Sequence, residues 1–576
     1  MRKGIKCVVV LSCVVLLLVS MTASAKTGWN EKTMFGCEMR HCKNVIVLIP
    51  DGCSASIQTA SRWYKEYALG SDEPLALDMI GTCGAVKTWM ANSIITDSAS
   101  ASTAFACGVK TTDGFLGVAG DPDYPGKPFL TGYTCGITPY APVQSDLEAA
   151  KLAGKAVGLV ATSRITHATP AGYAAHVYDR NLDNDIMEQM VYQDIDVVLG
   201  GGARHLVPSG QSYETTFGDV WGGKRTDGEN LIDELIARGY QFVDNKDDLA
   251  AVRCGKVWGM FDDSHMDPEL DRDDLHPTQP SLAEMTRKAI DLLSRNRCGF
   301  FLMVEGSQVD WAGHANDPVY MITDFLAFDD AVKVAYDYAK RRDDTIVIAF
   351  PDHNTGGLTI GHQQRDTTPP YTNTTVEDLI APIKDAGMTI QSLLYLFPAN
   401  SETDQNTSVE GVRATLAATL GDWWADEANM SNEQAQVIVD IWNDLGAYDG
   451  YYPIAQYMSR EFMSFGWTTH GHCGEDVPLW CYAGRRCERP VGLIDNTELA
   501  KIVADELGVR LRGTTMWLEF DESVLDMSDP ANPVAVIRGV RFPVNKDIAQ
   551  IGFYTLNLNG ITVWATQSGK VYIPLR

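Results

Sequence analysis

The stretch Asn44-Val45-Ile46-Val47-Leu48-Ile49-Pro50-Asp51-Gly52 contains a short apolar run that ends near an aspartate. A continuous apolar run of this length is typical of a strand that is buried on both faces of a parallel sheet. Two more runs have the same form: Phe300–Val304 precedes Glu305, and Thr345–Phe350 comes shortly before Asp352. Because open α/β sheets bind ligands at the carboxyl ends of their strands, these three carboxylates are candidates for one site.

Further apolar runs alternate with amphipathic segments along the chain. The sequence predicts strands at Ala156–Thr162, Val197–Gly200 and Lys256–Phe261, and helices at Ser145–Leu152, Leu282–Ser294 and Ile322–Arg341. This alternation predicts the α/β class, with a mostly parallel central sheet and helices on both of its faces.

Residues 359–465 interrupt this pattern. They contain Pro369-Pro370, helical stretches at Val409–Leu420 and Asn432–Leu445, and the aromatic-rich segment Tyr448–Tyr457. We predict an inserted, cap-like subdomain. A cap over a ligand site, a dimer-contact element and a passive insertion all remain open as interpretations.

The sequence pattern changes after about Gly513. Short strands are expected at Val534–Phe542, Gly552–Leu558, Ile561–Ala565 and Lys570–Ile573, with turns at Asn559-Gly560 and Ser568-Gly569. Residues 513–576 are therefore predicted to form a small C-terminal β-rich module.

The N-terminus has the pattern of a secretory signal peptide. Three basic residues precede an apolar run at 7–19, and Ala23-Ser24-Ala25 offers a cleavage site. We predict a signal peptide at residues 1–25, an N-terminal arm at 26–43, and a secreted or periplasmic protein. The apolar run is short for a membrane span, and the sequence indicates no transmembrane segment elsewhere.

The chain is strongly acidic. Its net charge of −28 becomes about −31 when the three basic residues of the signal peptide are removed. This charge argues against nucleic acids and anionic membranes as partners. Small phosphate esters stay possible, because bound metal ions would dominate the field at their site.

Eleven of the 13 cysteines remain after removal of the signal peptide. Some of them are expected to be paired in an exported protein. Cys37 with Cys42 and Cys481 with Cys487 would close plausible short loops, although the sequence does not fix the connectivity.

The segment Ile95-Thr96-Asp97-Ser98-Ala99-Ser100-Ala101-Ser102-Thr103-Ala104 places a serine after an aspartate, at the start of a run of small residues. A helix N-terminus offers unpaired N–H groups and the positive end of the helix dipole, which suits a nucleophile that takes up a phosphate. Taken alone, the segment fits a closely packed structural helix equally well. Its meaning depends on the rest of the chain.

Residues of the kinds that bind metals recur in four further segments. These are His167 and Thr169, followed by Arg180; Glu305, Asp310 and His314; Asp352 and His353; and His472. Two metal ions about 4 Å apart can act on the nucleophile and the leaving oxygen of a phosphate ester.

Taken in order and spacing, Asp51, the Ser98 segment and these four segments resemble the alkaline phosphatase family, from about Asn44 to about Ala483. The resemblance implies an alkaline phosphatase-like catalytic domain at residues 44–512. It implies hydrolysis of phosphate monoesters at alkaline pH, through a covalent phosphoserine intermediate on a site with two Zn²⁺ and one Mg²⁺. Members of the family are commonly homodimers, so a homodimer is a possible assembly.

The resemblance also implies a role for each matching residue. Ser98 would be the nucleophile and Arg180 the clamp on the phosphate. The implied metal ligands are Asp310, His314 and His472 for the first zinc; Asp51, Asp352 and His353, with Ser98, for the second; and Asp51, Thr169 and Glu305 for magnesium, with His167 close to this third metal.

Some features leave alternatives open. His470 could compete with His472 as a ligand, and the pairing of His167 with Trp311 puts magnesium occupancy of the third site in question. A related metal-dependent phosphodiesterase and a non-catalytic phosphate- or metal-binding surface protein are the rival functions. A sulfatase is disfavoured, because the Ser98 segment lacks the proline and arginine of the sulfatase motif.

Overall fold

The computed structural model describes residues 42–361, 374–401 and 404–575. The predicted signal peptide, most of the predicted N-terminal arm and Cys37 lie outside the described residues. Within the described ranges, no helix combines the length and the apolar composition needed to cross a bilayer.

A ten-stranded sheet forms the centre of the fold. Its strands, in chain order, are β1 (Asn44–Pro50), β2 (Thr82–Lys87), β3 (Ala156–Arg164), β4 (Val197–Gly201), β5 (Gln241–Val243), β6 (Val257–Met260), β7 (Phe300–Gly306), β8 (Thr345–Ala349), β9 (Val477–Ala483) and β10 (Gly492–Asp495). Across the sheet the order is β10-β2-β9-β8-β1-β7-β3-β4-β6-β5. Strand β9 runs antiparallel to both of its neighbours, and the other pairings in this sheet are parallel. The predicted α/β fold with a mostly parallel sheet is confirmed.

The surroundings of β1 explain why residues 45–49 are all apolar. Alternate side chains of a strand point to opposite faces of the sheet. Ile46 and Leu48 belong to the core on one face, and Val45, Val47 and Ile49 belong to the core on the other face. Both faces of β1 are therefore covered, which is the environment that a parallel sheet between helices provides.

Helices cover both faces of the sheet. They are α1 (Ala55–Tyr67), α2 (Ala76–Ile80), α3 (Ser98–Cys107), α4 (Asp146–Leu152), α5 (Ala168–Ala171), α6 (Asp183–Tyr192), α7 (Leu231–Ala237), α8 (Lys246–Ala251), α9 (Glu269–Leu275), α10 (Leu282–Leu293), α11 (Gln308–Ala315), α12 (Pro318–Ala339), α13 (Val376–Ile380), α14 (Ile390–Leu393), α15 (Val409–Leu420), α16 (Asn432–Phe462) and α17 (Asn496–Leu507). Helices α1, α10, α12 and α16 pack in the core with Ile46, and α3, α6 and α17 pack in the core with Val45.

Helix α12 begins four residues before the predicted start at Ile322. The cause is its N-terminal cap: the side chain of Asp317 accepts hydrogen bonds from the backbone N–H groups of Val319 and Tyr320, and Pro318 occupies the first turn. Both features favour a helix start.

Helix α3 is built of small residues because its surroundings are tight. All ten of its residues are buried. A Cβ atom on Gly172 would lie only 2.2 Å from Oγ of Ser102, so α3 and the segment after α5 approach each other through a serine and a glycine. The hydroxyl of Ser102 donates to the backbone oxygen of Ala168 at 3.0 Å and ties the two elements together.

The segment predicted as an insertion contributes α13 to α16. Its apolar side chains, among them Leu416, Trp424 and Ile438, belong to the same core as Ile46 of the central sheet. Asp271 of α9 accepts hydrogen bonds from N and Oγ1 of Thr389 at 2.8 and 2.6 Å. Helix α16 has a break at Gly446, where φ is 73°.

The C-terminal region forms two small antiparallel sheets. Their strands are β11 (Trp517–Asp521), β12 (Leu525–Asp526), β13 (Val534–Ile537), β14 (Val540–Pro543), β15 (Ile548–Ile551), β16 (Tyr554–Asn557), β17 (Val563–Ala565) and β18 (Lys570–Pro574). The predicted strand at Val534–Phe542 is instead a hairpin of β13 and β14. Arg538 and Gly539 both have positive φ at its turn, 52° and 83°, which is the backbone of a tight two-residue hairpin loop.

The disulfide of the described region links Cys42 to Cys487, 445 residues later in the sequence. The short-loop pairings expected for these two cysteines are therefore wrong, and Cys481 is a buried free thiol.

Sheet topology is the reason for this pairing. Strand β8 lies between β1 and β9, and β9 runs antiparallel, so the end of β9 lies close to the start of β1. The loop before β8 binds both ends: Lys43 N donates to Asp344 O at 2.7 Å, and Arg486 N donates to Asp343 O at 2.9 Å.

Loss of this disulfide should lower the stability of the fold. The double variant Cys42→Ser, Cys487→Ser is expected to lose about 2–4 kcal/mol in free energy of unfolding, because a very long loop is no longer closed in the unfolded chain. Denaturant unfolding measures the loss. Cys254→Ser, which removes an exposed free thiol, is the matched control. Equal midpoints for the double variant and the parent protein would contradict the expectation.

Candidate active site

Three neighbouring strands bring acidic residues to one edge of the sheet. Asp51 follows β1, Glu305 lies in β7 beside Ile49, and Asp352 comes just after β8. All three side chains are almost fully buried. The sheet therefore places at one edge the three carboxylates that follow the apolar runs of the sequence.

Ser98 is the first residue of α3 and is 2% exposed. The side chain of Asp97 caps the helix by accepting hydrogen bonds from the backbone N–H groups of Ala99 and Ser100. Oγ of Ser98 lies 3.1 Å from Nε2 of His353. The hydroxyl thus faces the acidic edge of the sheet from the N-terminal end of a helix.

Arg180 lies beside this helix start. Its Nη1 donates to Oδ2 of Asp97 at 3.2 Å, and its Nη2 lies 3.2 Å from Nε2 of His167. Asp97 therefore both caps α3 and orients the guanidinium group toward the segment that contains Ser98.

Asp310, His314 and His472 form the first set of possible metal ligands, with one ligand atom from each within 4.8 Å of the others. The i, i+4 spacing on α11 puts Asp310 and His314 on one side of the helix. Nε2 of His314 lies 3.4 Å from one oxygen of Asp310, and Nε2 of His472 lies 3.7 Å from the other.

Backbone carbonyl groups orient both histidines. Nδ1 of His314 contacts the carbonyl of His470, and Nδ1 of His472 lies 2.8 Å from the carbonyl of Thr96. Contacts of this kind fix the ring and leave Nε2 for a metal. His470, the rival to His472, instead directs its own Nδ1 to the carbonyl of His314 at 2.7 Å.

Asp51, Asp352 and His353 form a second set. Nε2 of His353 lies 3.0 Å from Asp352 and 3.7 Å from Asp51. Oδ1 of Asp352 accepts hydrogen bonds from the backbone N–H groups of Gly52 and His353, at 3.1 and 2.9 Å. Oδ2 of Asp352 and both oxygens of Asp51 are buried and have no hydrogen-bond partner in the described part of the chain.

Asp51 also belongs to a third set, with Glu305 and His167. Oε1 of Glu305, Oγ1 of Thr169 and Nδ1 of His167 are all buried, and none finds a hydrogen-bond partner among the described residues. Buried polar atoms are rarely left without partners in proteins. Donors of this kind, concentrated in one place, fit bound cations, and the oxygen atoms fit a hard cation such as Mg²⁺.

The charges at the site favour the same conclusion. Burial raises the pKa of Asp51 well above its usual range, and the carboxylates of Asp352, Asp310 and Glu305 raise it further. Burial also raises the pKa of Glu305 to about 7, with a further rise from Asp352. Carboxylates crowded in a medium of low dielectric constant need protons or cations to compensate their charge.

The pKa values of His314 and His472 are shifted in opposite directions. Burial lowers the pKa of His314, but the hydrogen bond to Asp310 outweighs burial and raises it to about 9. Burial raises the pKa of Asp310, yet its contacts with His314 leave it below the usual range. Burial, together with the charge of His353, lowers the pKa of His472 to about 4.

Two features of the site carry little signal in the sequence. Gly52 has φ of +70°, and a Cβ atom there would lie 2.8 Å from Cα of Asp310, so only glycine lets β1 approach α11 this closely. Thr355 was not predicted, although its Oγ1 contacts both Asp310 and Nδ1 of His353. Its place two residues after His353 is the one local clue.

Known proteins share this architecture. A model of the alkaline phosphatase family matches residues 42–509. Alkaline phosphatase 3 of Bacillus subtilis (strain 168) is 34% identical over 480 residues, which cover 82% of this chain and 90% of that protein. The repressible alkaline phosphatase of Saccharomyces cerevisiae is 31% identical over 508 residues, which cover 82% of each chain. The crystal structure of the Thermus thermophilus alkaline phosphatase has a TM-score of 0.65 at 25% identity, and the match covers 84% of this chain and 97% of that chain.

These comparisons favour the phosphatase interpretation over the phosphodiesterase and the non-catalytic binding protein. The predicted resemblance is confirmed over most of the chain. The protein is a metal-binding hydrolase of phosphate monoesters, and the chain belongs to the alkaline phosphatase family.

Proposed function

We propose that the chain hydrolyses phosphate monoesters through a covalent phosphoserine on Ser98, at a centre that holds two Zn²⁺ and one Mg²⁺. One observation carries this proposal: Asp51 belongs to two of the three sets of ligand atoms, and both of its carboxylate oxygens are buried and find no hydrogen-bond partner among the described residues. A structural cluster of acids would satisfy those oxygens with hydrogen bonds.

Each set matches one metal in the proposal. Nitrogen and oxygen donors suit zinc, and oxygen donors suit magnesium. The proposed ligands are Asp310, His314 and His472 for one zinc; Asp51, Asp352, His353 and Ser98 for the other; and Asp51, Thr169 and Glu305 for magnesium. Nδ1 of His167 is buried and has no hydrogen-bond partner among the described residues, and His167 belongs to this third set, so it is a candidate additional ligand. When bound, the metals supply Lewis acidity that favours ionisation of a hydroxyl and stabilises charge on oxygen.

Residues of the chain form and break the bonds of the reaction and bind the phosphate. Oγ of Ser98 attacks phosphorus, and the bond to the ester oxygen breaks, so the alcohol leaves and phosphoserine forms. Water then attacks the phosphoserine, and the bond between phosphorus and Oγ breaks to release phosphate. Arg180 holds two phosphate oxygens with its planar guanidinium group, while the N-terminal end of α3 favours the negative charge.

Export to an oxidising compartment is part of the proposal. The signal-peptide pattern at residues 1–25 and the Cys42–Cys487 disulfide both support a secreted or periplasmic protein. A catalytic domain at 44–512, an insertion at about 359–465 and a C-terminal module at 513–576 are the proposed divisions of the chain. The homodimer stays a prediction.

Removal of the nucleophile should abolish turnover. Ser98→Ala is expected to lower kcat/KM for p-nitrophenyl phosphate by at least about 1000-fold, because the hydroxyl that accepts the phosphoryl group is missing. Acid quenching followed by mass spectrometry should find a phosphorylated Ser98 peptide in the parent enzyme. Ser100→Ala is the control, since Ser100 lies on the same helix and its hydroxyl donates to Thr112 O at 2.8 Å. Phosphate on another residue would refute the assignment.

Arg180 should be replaceable only in part by lysine. We expect kcat/KM to fall by about 100-fold in Arg180→Ala and by about tenfold in Arg180→Lys, because lysine keeps the charge but lacks the planar pair of donors. Inhibition by inorganic phosphate should weaken in the same order. Arg541→Ala removes a comparable 3.1 Å ion pair in the C-terminal region and serves as the control. Equal effects of alanine and lysine would contradict a two-point contact.

Metal removal should affect both activity and stability. Protein stripped with a chelator is expected to lose hydrolysis of p-nitrophenyl phosphate and to unfold at a lower temperature, because its buried carboxylates lose their compensating charge. Zinc and magnesium together should restore both properties, and elemental analysis should find two zinc ions and one magnesium ion per chain. Full activity in protein verified to be free of metal would overturn the proposal.

A further inference from the structure

A cavity lies beside the metal-ligand sets. It is an open cleft of about 580 Å³ between α11 and the helices of the 359–465 segment. Gln308 and Trp311 of α11 line its floor, and Tyr395, Tyr448 and Tyr452 line its rim. We refer to these five residues as the tyrosine cleft. None of them belongs to the proposed metal ligands.

The tyrosine side chains of the rim are exposed to solvent. Tyr448 is 84% exposed, Tyr395 is 64% exposed and Tyr452 is 42% exposed. Tyr395 and Tyr448 form no hydrogen bond or ring contact with the part of the chain that the structure describes. Three tyrosine rings that face one cavity offer stacking surfaces, and an aromatic ring gains free energy when a planar group covers it.

The cleft borders the proposed phosphate site on two sides. The ring of Trp311 lies 5.7 Å from the ring of His167, and Nε2 of His167 lies 3.2 Å from Arg180. On the other side, the ring of Tyr452 stacks on His470 at 5.5 Å, and His470 contacts the backbone of His314. An ester bound at Arg180 would reach the cleft if its leaving group extended past His167 and Trp311.

The polar groups of the cleft restrict the chemistry of that leaving group. The acidic residues of its lining are Asp449 and Asp267, and Gln391 adds an amide. Oδ2 of Asp267 already contacts Nδ1 of His276, which leaves its Oδ1 for a ligand. Carboxylates disfavour an anionic group and accept hydrogen bonds from N–H donors. A planar, uncharged ring with exocyclic amino groups satisfies both the aromatic rim and the acidic lining.

We propose that the tyrosine cleft binds the base of a nucleoside monophosphate while Ser98 and Arg180 engage its phosphate. This inference rests on the proposed function, because it uses the same phosphate site. Base stacking on an aromatic side chain contributes about 1–3 kcal/mol, which corresponds to roughly five- to 150-fold in kcat/KM.

The test compares adenosine 5′-monophosphate with ribose 5-phosphate, which differ by the base but share the sugar and the reacting phosphate. The parent enzyme should favour the nucleotide in kcat/KM by about tenfold or more. The double variant Tyr395→Ala, Tyr448→Ala should bring the ratio of the two kcat/KM values close to one. Tyr554→Ala removes a tyrosine that is 73% exposed in the C-terminal region, and it should leave the ratio as in the parent.

A binding measurement separates failure of the cleft from failure of the proposed function. Equilibrium dialysis should show that labelled adenosine binds the parent enzyme and binds the double variant at least about fivefold more weakly. Adenosine binding without hydrolysis of either phosphate ester would support the cleft and refute the proposed function. Equal hydrolysis of the two esters without adenosine binding would refute the cleft and leave the proposed function intact.

The same double variant also tests the other occupant, a second copy of the chain. Light scattering would detect a change in assembly. A loss of dimers in the double variant, with an unchanged ratio of kcat/KM values, would overturn the base-binding proposal and assign the exposed tyrosines to a subunit contact.

Discussion

Repulsion between buried carboxylates is the constraint on which the rest of the site depends. A parallel sheet brings the carboxyl ends of β1, β7 and β8 to one edge, and with them Asp51, Glu305 and Asp352. The raised pKa values of Asp51 and Glu305 express the cost of holding these groups in a medium of low dielectric constant. Cations relieve that cost. Folding, metal binding and catalysis are therefore coupled through the same few side chains.

The small residues around this edge follow from the need for close approach. Gly52 lets the end of β1 lie against α11, and Gly172 with Ser102 lets α3 lie against the segment after α5. A larger side chain at either glycine would move a helix that carries a proposed metal ligand or the proposed nucleophile. Because a misplacement of about 1 Å can be costly in catalysis, the tight packing of these segments serves the site as well as the fold.

The sequence predicts those parts of the molecule that have a local signal. Apolar runs predict the strands of the sheet, and the run at Val45–Ile49 is apolar throughout because its side chains fill two cores. Contacts between distant segments have no such signal. The Cys42–Cys487 bond depends on β9 running antiparallel next to β8, and the ion pair of Arg180 with Asp97 joins residues 83 apart. The turn at Arg538-Gly539 is local, yet it was missed because the residues around it continue the apolar pattern of a strand.

Helix α11 connects the metal centre to the tyrosine cleft. Asp310 and His314 face the metal centre, while Gln308 and Trp311 of the same helix line the cleft. A change at Trp311 would therefore disturb packing against His167 and, through α11, the positions of two proposed ligands. The rim tyrosines differ, because they belong to the 359–465 segment and not to α11. Substitutions at Tyr395 or Tyr448 can change the surface that a leaving group meets without altering a ligand-bearing helix. The rim of the cleft can consequently change without a change in α11, whereas the floor of the cleft and two proposed metal ligands share that helix.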